Sequence, residues 1–321
     1  MRFPTSGVQV FPLVPPLVAF VISSLTASAG VSGAFLLLPF QMSVLGFVSP
    51  AVSPTNLIYN IVAIPGGVYR YIREGRMAWP LTWVVILGTL PGVFAGAIIR
   101  VRYLPDPRGA KFFVGLVLLG LGARLLWEAS IRSSKGREQQ RALAKKFEAR
   151  LAEHRAAGRR GGAGLPPEAV VKTRSVTLKR IEYEFWGEVF SFSTVVIFVL
   201  ALAVGMIGGI YGIGGGAIIA PFVVTVLCLP VYTVAGAALL GTFITSIAGV
   251  GFFELLALTP LGAGVAVRPD WALGALFGVG GLAGTYCGAR LQKYLPERWI
   301  RLFLGLLITG LAVSYIRQFF V

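Results

Sequence analysis

The residues best placed to do chemistry in this sequence are glycines. Gly205-Met-Ile-Gly-Gly-Ile-Tyr-Gly-Ile-Gly-Gly-Gly216 packs seven glycines into twelve residues, and Pro221 follows five residues later. Glycine inside a helix costs about 1 kcal/mol relative to alanine, so this run predicts either an unwound break or a very close helix contact. A break would leave the segment starting near Gly216 with free backbone N–H groups and the positive end of a helix dipole. Such an end holds an anion without a buried Lys or Arg. Gly212, Gly214, Gly215 and Gly216 are therefore candidate anion-binding residues, joined by Ser32 and Gly33 in a weaker copy of the motif. The competing reading is that the glycines only let helices touch, as small-xxx-small patterns do in membranes.

Neutral polar residues accompany both copies. Asn56, Tyr59 and Asn60 fall on one helical face, as do Thr242, Thr245 and Ser246. They could donate to a bound anion, or simply hydrogen-bond between helices at about 0.6 kcal/mol per contact. Glu254, in GVGFFELLAL, lies inside an apolar stretch and is a candidate for proton coupling, with a structural hydrogen bond or an interfacial position as the alternative. Arg124 and Glu128, spaced i and i+4, are expected to pair. No HExxH, GxSxG or metal-spaced His/Cys cluster occurs, and the glycine run lacks the GK[ST] of a phosphate-binding loop. The expectation is a protein that is not an enzyme and has no cofactor or metal.

The elements that position these residues must be membrane helices. The chain is 56% hydrophobic, only 13% charged, and has a mean hydropathy of +0.79; a soluble domain carries about 25% charged residues. Runs such as Pro80 to Ile99 and Trp271 to Ala289 approach the roughly 20 residues that cross a bilayer. The 29 Lys and Arg against 13 Asp and Glu do not indicate nucleic acid, because fourteen of the basic residues fall between Arg132 and Arg180. That clustering is the positive-inside bias of a membrane protein and puts the segment in the cytoplasm. The two cysteines, Cys228 and Cys287, lie in apolar runs and read as packing residues. The N-terminus lacks a clean A-x-A-like cleavage site and reads as part of the first membrane segment.

Charge divides the chain into a first transmembrane repeat at 1–130, a basic hydrophilic loop at 131–188 and a second transmembrane repeat at 189–321. Leu143, Phe147 and Leu151 predict one amphipathic helix in the loop, and its single histidine, His154, is expected to be solvated. The apolar blocks repeat one another. Gly30, Gly33 and Pro39 align without gaps on Gly212, Gly215 and Pro221, Asn56 to Ile61 on Thr242 to Ile247, and Phe112 to Leu121 on Leu302 to Leu311. Apolar runs at about 13–48 and 193–230 are too long for one span and are broken by glycines, so each reads as a hairpin of two short segments. The expected fold is an all-α polytopic membrane protein of 8 to 10 membrane segments, about five per half. Five per half inverts the second copy, and the loop charges favour that inversion over a parallel arrangement.

The motif Gly212-Ile-Gly-Gly-Gly-Ala-Ile-Ile-Ala-Pro221, its weaker partner from Gly30 to Pro39, the duplicated halves and the long central loop resemble the TauE/SafE family of sulfite or sulfonate exporters. The resemblance implies transport of a small organosulfur anion, such as sulfite, sulfoacetate or a taurine-derived sulfonate. It transfers directly onto Gly212, Gly214, Gly215, Gly216 and Pro221, whereas Ser32 and Ala34 replace glycines in the first half. The resulting expectation is a multi-pass inner-membrane secondary transporter working by alternating access; a homodimer is a compatible assembly. A passive anion channel and a membrane-embedded sensor acting through the basic loop are the alternatives. Because the second half keeps the full motif, Gly215→Val is expected to damage transport more than Gly33→Val.

Overall fold

A computed structural model describes residues 1–28, 31–130, 149, 170–185, 187–227, 229–291 and 297–320. The first half contributes α1 (Val14–Ser28), α2 (Ala34–Ser43), α3 (Val52–Ala63), α4 (Pro65–Arg73), α5 (Trp79–Arg102) and α6 (Pro107–Ser130). The second contributes α7 (Thr194–Tyr211), α8 (Gly216–Val226), α9 (Val231–Ala257), α10 (Trp271–Leu291) and α11 (Glu297–Phe320). Five helices among the described residues are long and apolar enough to cross a membrane, and two shorter apolar helices lie at Val14–Ala27 and Ala34–Ser43. The chain is a polytopic helical membrane protein. At 1.5 Å per residue, α2 and α8 reach only about 15 Å, half the hydrocarbon thickness, so each must begin or end at membrane depth or pair with another segment.

The halves interlock. Gly280, Gly284 and Gly288 of α10 rest on the backbone carbonyls of Pro16, Phe20 and Ser24 of α1, closer than any side chain permits. In the same way Gly88, Gly92 and Gly96 of α5 rest on the carbonyls of Phe198, Leu202 and Met206 of α7. Four-residue spacing on both partners puts these glycines in one row along each helix, which is why the backbones can touch. Contacts rise together along both chains, so α1 runs parallel to α10 and α5 parallel to α7. Other pairs run oppositely. Lys111 bonds Gln318 at 3.2 Å while Glu128, at the far end of α6, bonds Arg301 at 3.0 Å, so α6 and α11 are antiparallel. Leu57 lies against Gly249 and Tyr71 against Gly236, giving the same sense for α3–α4 against α9.

A three-stranded antiparallel meander separates the halves: β1 (Lys172–Val176), β2 (Arg180–Phe185) and β3 (Glu188–Ser193). No strand is expected there from the reading of 131–188 as a basic loop, and β3 runs through its boundary at 188. Period-two alternation explains the sheet: Ile181, Tyr183 and Phe185 are buried with Phe192 against Ala78, Leu81 and Ile197, while Arg180, Glu182 and Glu184 face outward. Tyr183 shares a 2.9 Å hydrogen bond with Thr233 at the start of α9. Ser193 caps α7 by accepting the Val196 N–H at 3.4 Å. The expected amphipathic helix around Leu143 to Leu151, His154, Gly30 and Cys228 lie outside the described residues.

Candidate anion site at the glycine breaks

The run from Gly205 to Gly216 serves both purposes that the sequence leaves open. Its first part is helical and packs: a Cβ on Gly205 or Gly209 would collide with the backbone of Thr89 or Val93. Its second part is a break. Gly212 ends α7 at φ 80° and Gly214 follows at φ 72°, both in the left-handed region that disfavours side chains. The Gly212 and Ile213 N–H groups return to the Gly208 carbonyl at 2.8 and 3.1 Å, closing the helix, and α8 then starts at Gly216 with no side chain capping it.

Polar side chains from both halves converge on this second break. Asn56 Nδ2 donates to the Gly212 carbonyl at 3.0 Å and to the Ala34 carbonyl at 3.1 Å, and Asn60 Nδ2 donates to the Ile213 carbonyl at 3.0 Å. Thr245 Oγ1 accepts the Gly215 N–H at 3.3 Å. Thr242 turns its hydroxyl back to the Ala238 carbonyl at 2.8 Å, yet a Cβ on Gly216 would press on both groups. Ser246 lies beside Gly214, its Oγ 3.0 Å from where a Cβ would sit. Among the described residues Ser246 Oγ and Asn60 Oδ1 are buried without a hydrogen-bond partner. An unsatisfied buried polar group costs about 1–3 kcal/mol and asks for an explanation.

The first break is built differently. Gly33 faces the hydroxyls of Tyr59 and Ser23, which bond each other at 2.8 Å, and Ser32 Oγ accepts the Ala34 N–H at 3.3 Å. Gly281 of α10 makes room for the Tyr59 ring, whereas Gly215 faces the Thr89 side chain. Thus all twelve residues nominated at the breaks lie at or beside them: Ser32, Gly33 and Tyr59 at the first, and Gly212, Gly214, Gly215, Gly216, Asn56, Asn60, Thr242, Thr245 and Ser246 at the second. Glu254 lies elsewhere, toward the end of α9, with Arg268 at 3.7 Å and the Trp271 indole N–H at 3.2 Å. The expected Arg124–Glu128 pair forms at 2.8 Å, and Arg301 joins it.

Two buried ionisable residues escape the sequence reading. Arg100 is 2% exposed; its guanidinium donates to Ser53 Oγ at 3.3 Å and to the carbonyls of Val48 and Leu104. Asp270 is 1% exposed. It caps α10 through the Leu273 N–H at 3.1 Å and accepts both the N–H and hydroxyl of Ser6. An Asp immediately before an apolar helical run is an N-cap signal that could have found it. For Arg100 no local signal exists.

No curated protein and no solved structure matches the chain. A family model does: "Sulfite exporter TauE/SafE" matches residues 16–315, which takes in both breaks, every helix that packs on them, and the sheet between the halves. With nearly the whole length matched, the chain belongs to the sulfite exporter TauE/SafE family, a family of membrane transporters.

Proposed function

We propose that this protein carries a small organosulfur anion, sulfite or a sulfonate, across the inner membrane by alternating access around its two glycine breaks. The observation that carries the reading is the second break itself. The described groups around Gly212 to Gly216 are uncharged, α8 begins there uncapped, and Ser246 keeps a buried hydroxyl with nothing to bind. Backbone N–H groups and neutral hydroxyls suit an anion that stays charged at physiological pH, because they bind it without a desolvated counter-ion.

The halves are inferred to be inverted repeats, bounded at 1–130 and 189–321. Support comes from the corresponding helices α6 and α11, and α3 and α9, which run antiparallel. A two-fold axis lying in the membrane plane produces that relation, and one along the membrane normal does not. The same inference assigns sides. The Val171 N–H bonds the Gly75 carbonyl at 2.9 Å, joining the end of the basic insert to the loop that carries Arg70, Arg73 and Arg76. The positive-inside rule makes that side cytoplasmic. The test is flux of labelled sulfite and small sulfonates in proteoliposomes. Saturable uptake with counterflow exchange is expected; intact, reconstituted protein that moves no small anion would overturn the reading.

A further inference from the structure

A permanently charged guanidinium under a membrane domain is expensive unless an opposite charge neutralises it. Arg100 is buried near the end of α5, and among the described residues only neutral acceptors meet it: the Ser53 hydroxyl and the carbonyls of Val48 and Leu104. Its positive charge is left uncompensated. The Leu104 bond caps the end of α5, a role that would need neither burial nor the link to Ser53.

That link leads to the second break. Ser53 Oγ donates to the Ile210 carbonyl at 2.8 Å, and the Ser53 carbonyl is the group that Gly212 packs against too closely for any side chain. Beside Arg100 runs a narrow crevice, nowhere wide enough for a water molecule in this conformation. Leu38 and Met42 of α2, Val52 and Ser53 of α3, Val114 of α6 and Ile210 of α7 line it. Movement of α2 about the first break would open this crevice, because α2 forms one wall.

We propose that Arg100 is the charge-selecting residue of the pathway: in the opened crevice its guanidinium exchanges the neutral carbonyls for a small oxyanion on its way to or from the second break. The proposal rests on the transport reading for its ligand class. An oxyanion gains charge-assisted, bidentate hydrogen bonds from arginine, whereas a neutral molecule of the same shape gains little over the carbonyls.

The experiment pairs methanesulfonate with its neutral isostere dimethyl sulfone in proteoliposomes containing the wild type, Arg100→Gln or Arg100→Lys. Arg100→Gln is expected to raise the methanesulfonate KM by about tenfold or more, with a smaller change in maximal rate and a matching loss of preference for the anion over the sulfone. Arg100→Lys should recover part of that preference. A wild type that transports while Arg100→Gln keeps its KM and selectivity overturns the proposal and leaves the transport reading standing; a wild type without flux sinks the transport reading itself. A second measurement needs no variant. Phenylglyoxal modification of Arg100, followed by peptide mass spectrometry on the wild-type protein, should be slowed by methanesulfonate and not by the sulfone. Equal labelling with both, or no labelling at all, overturns the proposal even where both variants fail to fold or the wild type shows no flux.

Discussion

The two glycine breaks occupy corresponding places in the two halves, yet they are held by different means. At the second, backbone presses on backbone: Gly212 lies on the Ser53 carbonyl and Gly216 on the Ala238 carbonyl, while amides from α3 tie its peptide groups. At the first, Gly33 faces the Tyr59 and Ser23 hydroxyls with the Ser23 backbone behind them, as its counterpart Gly215 faces the Thr89 side chain, and a bulky tyrosine is accommodated by Gly281. The second break is thus the stiffer of the two among the described residues. Carbonyls fixed in a helix cannot step aside, whereas the Ser23 hydroxyl can swing away by a rotamer change. Under the proposed transport cycle, this difference makes the second break the more tightly anchored of the two.

The largest effect should come from Gly212→Ala. Left-handed strain of roughly 1–2 kcal/mol adds to overlap with the Ser53 backbone, so flux should vanish and the melting temperature fall; normal flux would remove the stiff half of the comparison. Next is a pair of rescues. Gly215→Ala should be relieved by Thr89→Gly, which copies the arrangement at Gly281, and Gly33→Ala in part by Tyr59→Phe, which removes the hydroxyl 2.5 Å from the new methyl and leaves the Ser23 hydroxyl, at 2.7 Å, to turn aside. Equal damage at both sites, with neither double variant regaining flux, would break the comparison. Asn60→Ala should lower stability by about 1–3 kcal/mol through the unpaired Ile213 carbonyl, read in a thermal melt. Ser246→Ala should leave the melting temperature no lower than that of the wild type, since the buried hydroxyl bonds nothing among the described residues, but raise the KM for the anion several-fold.

The smallest effect lies outside both breaks and serves as a control. Burial pushes the Glu74 carboxyl up, but hydrogen bonds and charge from Arg70 and Arg76 outweigh it and hold the group below its ordinary value. A carboxylate depressed in the folded state contributes stability above its unfolded pKa and loses it as pH falls through the folded one. Glu74→Gln should flatten that acid-side loss, by at most about 1 kcal/mol for a partly exposed pair, without altering flux at neutral pH.

The breaks were legible because they rest on residue type: seven glycines in twelve residues cannot form an ordinary isolated helix, and the repeat with Gly33 and Pro39 excludes coincidence. The polar faces were legible for the same reason, through helical spacing. The sheet was missed although Arg180 to Phe185 alternates strictly, because a dense run of charges reads as a linker when its neighbours are unknown. Arg100 was out of reach for a different cause. An arginine two residues from the end of a span looks the same in sequence whether it snorkels to water or is covered by the loop around Val48, and only tertiary contacts decide between the two.

The parallel pairing of α5 with α7 and of α1 with α10 also sets an order of assembly. The first half keeps the α5 glycine row bare, and α1 without its partner, until the second half supplies the matching helices, so the first half cannot complete its packing alone. Between the end of α5 at Arg102 and the end of α7 at Tyr211 the ribosome must add more than a hundred residues, roughly 5–20 s of synthesis. During that interval the row Gly88, Gly92 and Gly96 faces lipid or a chaperone, and α1 waits longer still for α10. In the finished fold the sheet that follows the insert packs Ile181, Tyr183 and Phe185 against both α5 and α7, at the place where the two helices meet.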